Sequence, residues 1–165
     1  MNTAYLGLGS NLGNRMAFLR GGRDALINQP DIELIQASSV FETEAVGGPP
    51  DNPLFLNAVL QIQTSLPPQQ LLEACLAVEE EFGRSRPERW APRTLDIDIL
   101  FYEDLILCEE HLTIPHPRLQ ERAFVLTPLM EIAADLKHPL LDQTIAELAA
   151  GSVGVTKLLS LRTSW

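Results

Sequence analysis

Arg89-Trp90-Ala91-Pro92-Arg93-Thr94-Leu95-Asp96-Ile97-Asp98-Ile99-Leu100-Phe101 joins a basic, proline-containing first half to a second half with the period of a β-strand. From Leu95 onward the residues alternate, with Leu95, Ile97 and Ile99 toward one side and Asp96 and Asp98 toward the other. Residues two apart on a strand stand roughly 6 to 7 Å apart, so both carboxylates can converge on ions between them. Two carboxylates on one face repel each other and lose hydration if partly buried, which calls for a compensating cation. A divalent metal is one candidate. Arg84, Arg86, Arg89 and Arg93 are the other, and they could instead hold an anionic ligand. Acidic pair, Mg²⁺ and basic groups together are the ingredients of phosphate chemistry. By spacing alone, a solvated strand edge whose charges pair with one another stays open as well.

Upstream, Phe55–Thr64 is a second alternating run. Leu56, Ala58, Leu60 and Ile62 face one way, and Phe55, Asn57, Val59 and Gln61 the other. Asn57 is out of place in a strand by propensity, which fits a ligand-facing amide or a hydrogen bond to a neighbouring loop. Between the two runs, Leu71, Cys75, Val78 and Phe82 recur at helical spacing. The helix is expected to begin near Ser65 or Leu66 and to stop at Gly83. Glu79, Glu80 and Glu81 crowd its last turn, where acids usually point to solvent, although one of them could orient a guanidinium or a ligand.

Nearer the N-terminus, Thr3–Leu8 alternates as a short strand. Gly9-Ser10-Asn11-Leu12-Gly13-Asn14 is a turn into a helix from about Arg15, with Asn14 as a cap. Ile32–Phe41 reads as one strand with a polar interruption at Gln36 to Ser39. Thr43 to Pro53 is a loop by composition, usable as a lid or as a plain connector. Downstream, Leu105–Leu107 and Leu112–Ile114 read as a hairpin, and Pro115-His116-Pro117-Arg118 as a constrained turn holding a histidine near Arg118 and Arg122. A short helix is expected over Leu119 to Leu126. The tail reads as helix and loop, with a capping box from Thr144 to Glu147. The order β-α-β-β-α-β predicts an α+β fold, the ferredoxin-like split βαβ (βαββαβ), with an appended hairpin and C-terminal helices.

The chain has 165 residues, which predicts a single domain over 1–165 with a substantial core. A formal net charge of −10 argues against nonspecific binding to nucleic acid or anionic membranes. The charge is unevenly placed. No Lys or Arg occurs between Arg23 and Arg84, whereas six of the twelve basic residues, all arginines, lie between Arg84 and Arg122. A local basic patch on an acidic chain suits a small polyanion better than a polymer. Cys75 and Cys108 are too few for a disulfide framework, and no leader or membrane-spanning run is apparent, so a cytoplasmic protein is expected.

The Gly7-Leu8-Gly9-Ser10-Asn11-Leu12-Gly13 start, Phe55-Leu56-Asn57-Ala58, the Arg89-to-Leu100 stretch and Pro115-His116 together resemble the 6-hydroxymethyl-7,8-dihydropterin pyrophosphokinase family. The resemblance covers roughly residues 3 to 130. It implies a transferase of folate biosynthesis that moves the β,γ-diphosphate of ATP to the hydroxymethyl group of the pterin, giving AMP and the pterin diphosphate. It also implies two Mg²⁺ ions as cofactors with ATP as co-substrate, and no nucleic-acid or membrane partner. A monomer is expected, open to functional coupling with other folate-pathway enzymes.

Residue by residue, Asp96 and Asp98 resemble the family's metal ligands, and Arg84, Arg86 and Arg93 join them as catalytic positions. Glu79, Trp90, Ile99, Thr113, His116 and Arg122 complete the ATP-binding set that the resemblance implies. Thr43, Val46, Phe55, Asn57, Asp96 and Phe124 are the implied pterin-binding set, with the ring between Phe55 and Phe124. Two aromatic faces with fixed polar groups suit a flat heterocycle. The chain departs from the family pattern at Ala45, where proline is common. It also departs at His111 and Leu76, where some members carry arginine and glutamine. No residue stands out as a general base, so alignment and charge neutralisation are expected to carry catalysis.

Overall fold

The computed structural model describes residues 1–46, 48–83, 93–152, 159–161 and 165. Strand β1 (Asn2–Ser10) leads into helix α1 (Arg15–Ile27), then β2 (Ile32–Ala37), β3 (Val40–Thr43), β4 (Phe55–Thr64), α2 (Pro68–Glu81) and β5 (Asp96–Tyr102). A small hairpin of β6 (Leu107–Cys108) and β7 (Thr113–Ile114) follows. After it come a 3₁₀ turn (Leu119–Glu121), α3 (Ala123–Ala133), α4 (Ile145–Gly151) and β8 (Leu159–Leu161). The main sheet runs β5-β1-β4-β3-β8, with β2 beside β3 along the same edge of β4, and all its pairings are antiparallel. Strand β4 lies between β1 and β2/β3, and β1 lies between β4 and β5. Each helical crossover therefore skips one strand, which is the split βαβ arrangement that the sequence predicts.

Alternation divides the sheet into two cores. Ala4, Leu6, Leu8, Leu56, Ala58, Leu60, Ile62, Ile97 and Ile99 meet Leu19 and Leu26 of α1 and Leu71, Cys75 and Val78 of α2. On the opposite face, Tyr5, Val59, Leu100 and Phe101 pack against Val125, Leu126 and Leu129 of α3 and Ile145 and Leu148 of α4. A register shift between Tyr5 and Leu6 lets Leu100 and Phe101 both join this second core. Helix α4 carries the predicted capping box, with Thr144 Oγ1 accepting from the Glu147 N–H and Glu147 Oε2 from the Thr144 N–H. Cys75 is a buried free thiol, and among the described residues no helix is long and apolar enough to cross a membrane.

Four details differ from the sequence reading. The expected Ile32–Phe41 strand breaks at Ser38-Ser39. There the Ser38 N–H donates to Val59 O, and Ser38 Oγ accepts from the Val59 N–H, so a side chain replaces one rung of the ladder. Helix α2 starts later than Ser65 or Leu66, because Pro67 and Pro68 fit the cap and first helical position. The helix expected over 119–126 is split at Arg122, whose extended backbone (φ −114°, ψ 95°) separates the 3₁₀ turn from α3. The tail supplies a strand, β8, which pairs with β3 and was not foreseen.

Candidate active site

Among the described residues, the face of the sheet that carries α3 and α4 opens into a cleft at its far end. There β1, β4 and β5 run side by side, and their register sets Asp96 opposite Gly9, Gly9 opposite Asn57, and Asn57 opposite Phe41. One step along, Asp98 stands opposite Gly7 and Gly7 opposite Val59. The missing side chains of Gly7 and Gly9 leave a trough between the two aspartates and the β4 side chains. A methyl group added at Gly9 would stand 3.1 Å from Asn57 Oδ1 and 3.6 Å from the Phe55 ring. This trough floors a cleft with about 950 Å³ of empty space, its open mouth included. Phe55, Phe124, Arg93, Arg118, Arg122 and residues 43–46 stand around it.

Each aspartate faces an arginine. Arg93 Nη1 donates to Asp96 Oδ2 at 3.0 Å, and Arg122 Nη1 lies 3.9 Å from Asp98 Oδ2. The Arg122 guanidinium also sits over the Phe124 ring, 5.6 Å from its centre, a cation–π arrangement linking the basic and aromatic parts of the cleft. Burial lowers the Arg122 pKa, and the neighbouring carboxylate of Asp98 opposes that shift. His116 is half-buried, and its Nδ1 accepts from the Arg118 N–H at 3.2 Å. Burial first, and the Arg122 charge second, push its pKa down to about 4. The imidazole is therefore neutral near pH 7, with Nε2 carrying the proton as a donor.

On the other wall, Asn57 Nδ2 donates to Thr43 Oγ1 at 2.6 Å. That bond fixes the amide and holds its Oδ1 on the Gly9 side of the trough. The sequence allows Asn57 a ligand contact or a hydrogen bond to a neighbour. It makes the hydrogen bond and also lines the cleft.

A scan of family models matches residues 5–134 to the model described as 7,8-dihydro-6-hydroxymethylpterin-pyrophosphokinase (HPPK). A 2-amino-4-hydroxy-6-hydroxymethyldihydropteridine pyrophosphokinase from Methylorubrum extorquens is 47% identical over 82% of this chain and 85% of its own. Another of the same description from Bacillus subtilis is 42% identical over 94% of this chain and 91% of its own. The chain belongs to the HPPK family. It is an ATP-dependent pyrophosphokinase acting on a hydroxymethyldihydropterin.

Among solved structures, Plasmodium falciparum HPPK-DHPS with pteroate superposes with a TM-score of 0.72 at 17% identity. That match covers 90% of this chain and 42% of the other, and at this identity it speaks for the HPPK fold alone. A folic acid synthesis protein from Schizosaccharomyces pombe is 41% identical over 87% of this chain, which spans 20% of that protein.

Of the HPPK positions expected from sequence, Thr43, Val46, Phe55, Asn57, Arg93, Asp96, Asp98, Arg122 and Phe124 line one cleft. Arg84, Arg86 and Trp90 lie outside the described residues. His116 does not line the cleft but neighbours it, close enough to Arg122 and Asp96 for both charges to act on its titration. The side chain of Ile99 packs into the α1/α2 core on the opposite face, and Thr113 sits in the small hairpin.

Glu79 is 1% exposed, unlike the solvated acid that its neighbourhood suggests, and its Oε1 accepts from the Ile97 N–H at 2.7 Å. It thus braces β5 from beneath, between the two aspartates. The lining residues Gly7, Gly9 and Arg118 were absent from the expected set. For the glycines the signal was available, because strand alternation puts Gly7 on the face opposite Leu6 and Leu8.

Proposed function

We propose that this cleft is where the diphosphate moves, with the nucleotide on the Asp96–Asp98–Arg122 side and the pterin between Phe55 and Phe124. The observation that carries this reading is the juxtaposition, across two glycines, of an aspartate pair and a fixed Asn57 amide inside an aromatic-walled trough. Asn57 Oδ1 and the Asp96 carboxylate are acceptors on either side of Gly9, suited to the amino and ring N–H groups of a pterin. The backbone and side chains of Thr43 to Val46 close the same wall.

Mg²⁺ takes oxygen ligands and is commonly held by one or two carboxylates, with substrate phosphates and water filling the remaining positions. Asp96 and Asp98, side by side on one face of β5 and open to the cleft, fit that requirement. We propose that they hold two Mg²⁺ ions, which when bound would neutralise charge on the ATP phosphates. Arg93 and Arg122, beside those carboxylates, would supply guanidinium donors to phosphate oxygens, and neutral His116 would donate Nε2–H to the same anion. Arg84, Arg86 and Trp90 are proposed to complete the nucleotide side, with Glu79, Ile99 and Thr113 in supporting positions. Alignment and electrostatic stabilisation carry the rate. We propose further that residues 1–165 act as one domain, as a monomer, in the cytoplasm.

Incubation with ATP, Mg²⁺ and 6-hydroxymethyl-7,8-dihydropterin, followed by mass analysis, tests the transfer. AMP together with a pterin carrying two phosphates is expected. ADP with a monophosphorylated pterin would contradict it.

A further inference from the structure

The β1–α1 turn lies behind the cleft without lining it, and Asn11 is its hub. Asn11 is 2% exposed. Its backbone N–H donates to Arg93 O at 3.0 Å, and the Arg93 N–H donates back to Asn11 Oδ1 at 2.7 Å. The other end of the amide, Nδ2, donates to Pro53 O at 3.3 Å. Arg15, four residues on, gives the same region two more anchors. Its Nη1 donates to Leu54 O at 2.9 Å, and its Nη2 pairs with Glu42 Oε2 at 2.7 Å. Pro53 is thereby attached to the turn that grips Arg93, and Leu54 and Glu42 to the first residue of α1.

We propose that Asn11 is a positioning residue that holds Arg93 and Pro53 in one relative placement, so that both substrates depend on a side chain neither of them touches. The assignment of a nucleotide side and a pterin side rests on the function proposed above. The connection to chemistry is short on both sides. Arg93 carries the guanidinium bonded to Asp96, and Pro53 is two residues from Phe55 on the cleft wall. The amide offers one acceptor and one donor in opposite directions from a buried side chain, and an apolar replacement removes both bonds.

Three variants separate positioning from general stability. Asn11→Ala removes both side-chain bonds. Asn11→Asp keeps an acceptor for the Arg93 N–H but sets an oxygen against Pro53 O. Asn14→Ala removes only the α1 cap, where Asn14 Oδ1 accepts from the Ala17 N–H at 3.1 Å, and serves as a structural control. Each is assayed for the KM of ATP and of the pterin, for amide hydrogen exchange in peptides spanning 50–56 and 93–98, and for its melting temperature.

The proposal expects N11A to raise both KM values about tenfold, with faster exchange in both peptides. N11D should raise the pterin KM alone and speed exchange only in 50–56. N14A should lower the melting temperature with both KM values unchanged. Wild-type KM values in N11A, or a rise no larger than in N14A, would overturn the proposal. Should N11A fail to fold, an unchanged pterin KM in N11D overturns it instead. If the wild type forms no pterin diphosphate, the proposed function fails by itself, and exchange left unaltered in both peptides overturns the Asn11 role separately.

Discussion

Arg93 and Asp96 are joined by a 3.0 Å bond between Nη1 and Oδ2, three residues apart at the entrance to β5. Both side chains are partly exposed, so the pair contributes little to stability, about 0–1 kcal/mol. The arginine compensates the carboxylate, and under the proposed function the same guanidinium would also serve phosphate oxygens. The 3.9 Å approach of Arg122 to Asp98 places a second such pair on the same strand face.

Phe124 tests the aromatic wall. Phe124→Ala should weaken pterin binding by about 1 to 3 kcal/mol and leave ATP binding nearly unchanged. Calorimetric titration with each ligand alone measures both. An equal loss for the two ligands would mean that the ring supports α3 rather than the pterin.

Gly9 tests the trough. The methyl group of Gly9→Ala would press on Asn57 Oδ1 from 3.1 Å, and Asn57 cannot yield freely because Thr43 holds its amide at 2.6 Å. A rise of about tenfold in pterin KM is expected, with the ATP KM little changed. Equal KM values in variant and wild type would show that the amide has room to move and does not read the pterin edge.

His116 gives folding stability a pH signature. Its folded pKa of about 4 lies below the ordinary 6.5, so between those values the unfolded chain binds more protons than the folded one. The associated stability is fully present above pH 6.5 and is lost as pH falls toward 4. His116→Gln should flatten the fall of melting temperature over that window. His138 is also shifted down by burial, so part of the slope remains in the variant. An identical slope in variant and wild type would show that His116 is not held neutral.

The sheet was legible because most of its strand residues alternate between the two faces, the register shift beside Leu100 and Phe101 apart. Leu56, Ala58, Leu60 and Ile62 read as a core face, and they are one. The break at Ser38-Ser39 was visible as a polar interruption but not as two strands, since what makes it is a tertiary bond to Val59. Strand β8 was not legible, because its partner β3 is distant in sequence. In the site, Asp96, Asp98 and Asn57 stood out as polar residues on strand faces. Glu79 was harder to place, because three consecutive acids look solvated unless one knows that the Ile97 N–H lies beneath the helix. The role of Gly9 depended on register with Asn57 and Asp96, which no local pattern encodes.

The aspartate pair decides whether this cleft works as described. Asp96→Asn and Asp98→Asn are nearly isosteric and remove one negative charge each, so folding should be little affected, as a circular dichroism melt would show. Steady-state turnover of both variants across a Mg²⁺ titration is the direct measurement. Each substitution is predicted to cost at least about 3 kcal/mol of transition-state stabilisation, or roughly a hundredfold in rate, with D96N also weakening pterin binding. Near wild-type turnover in both folded variants at limiting Mg²⁺ would contradict the account and return the pair to a solvated strand edge.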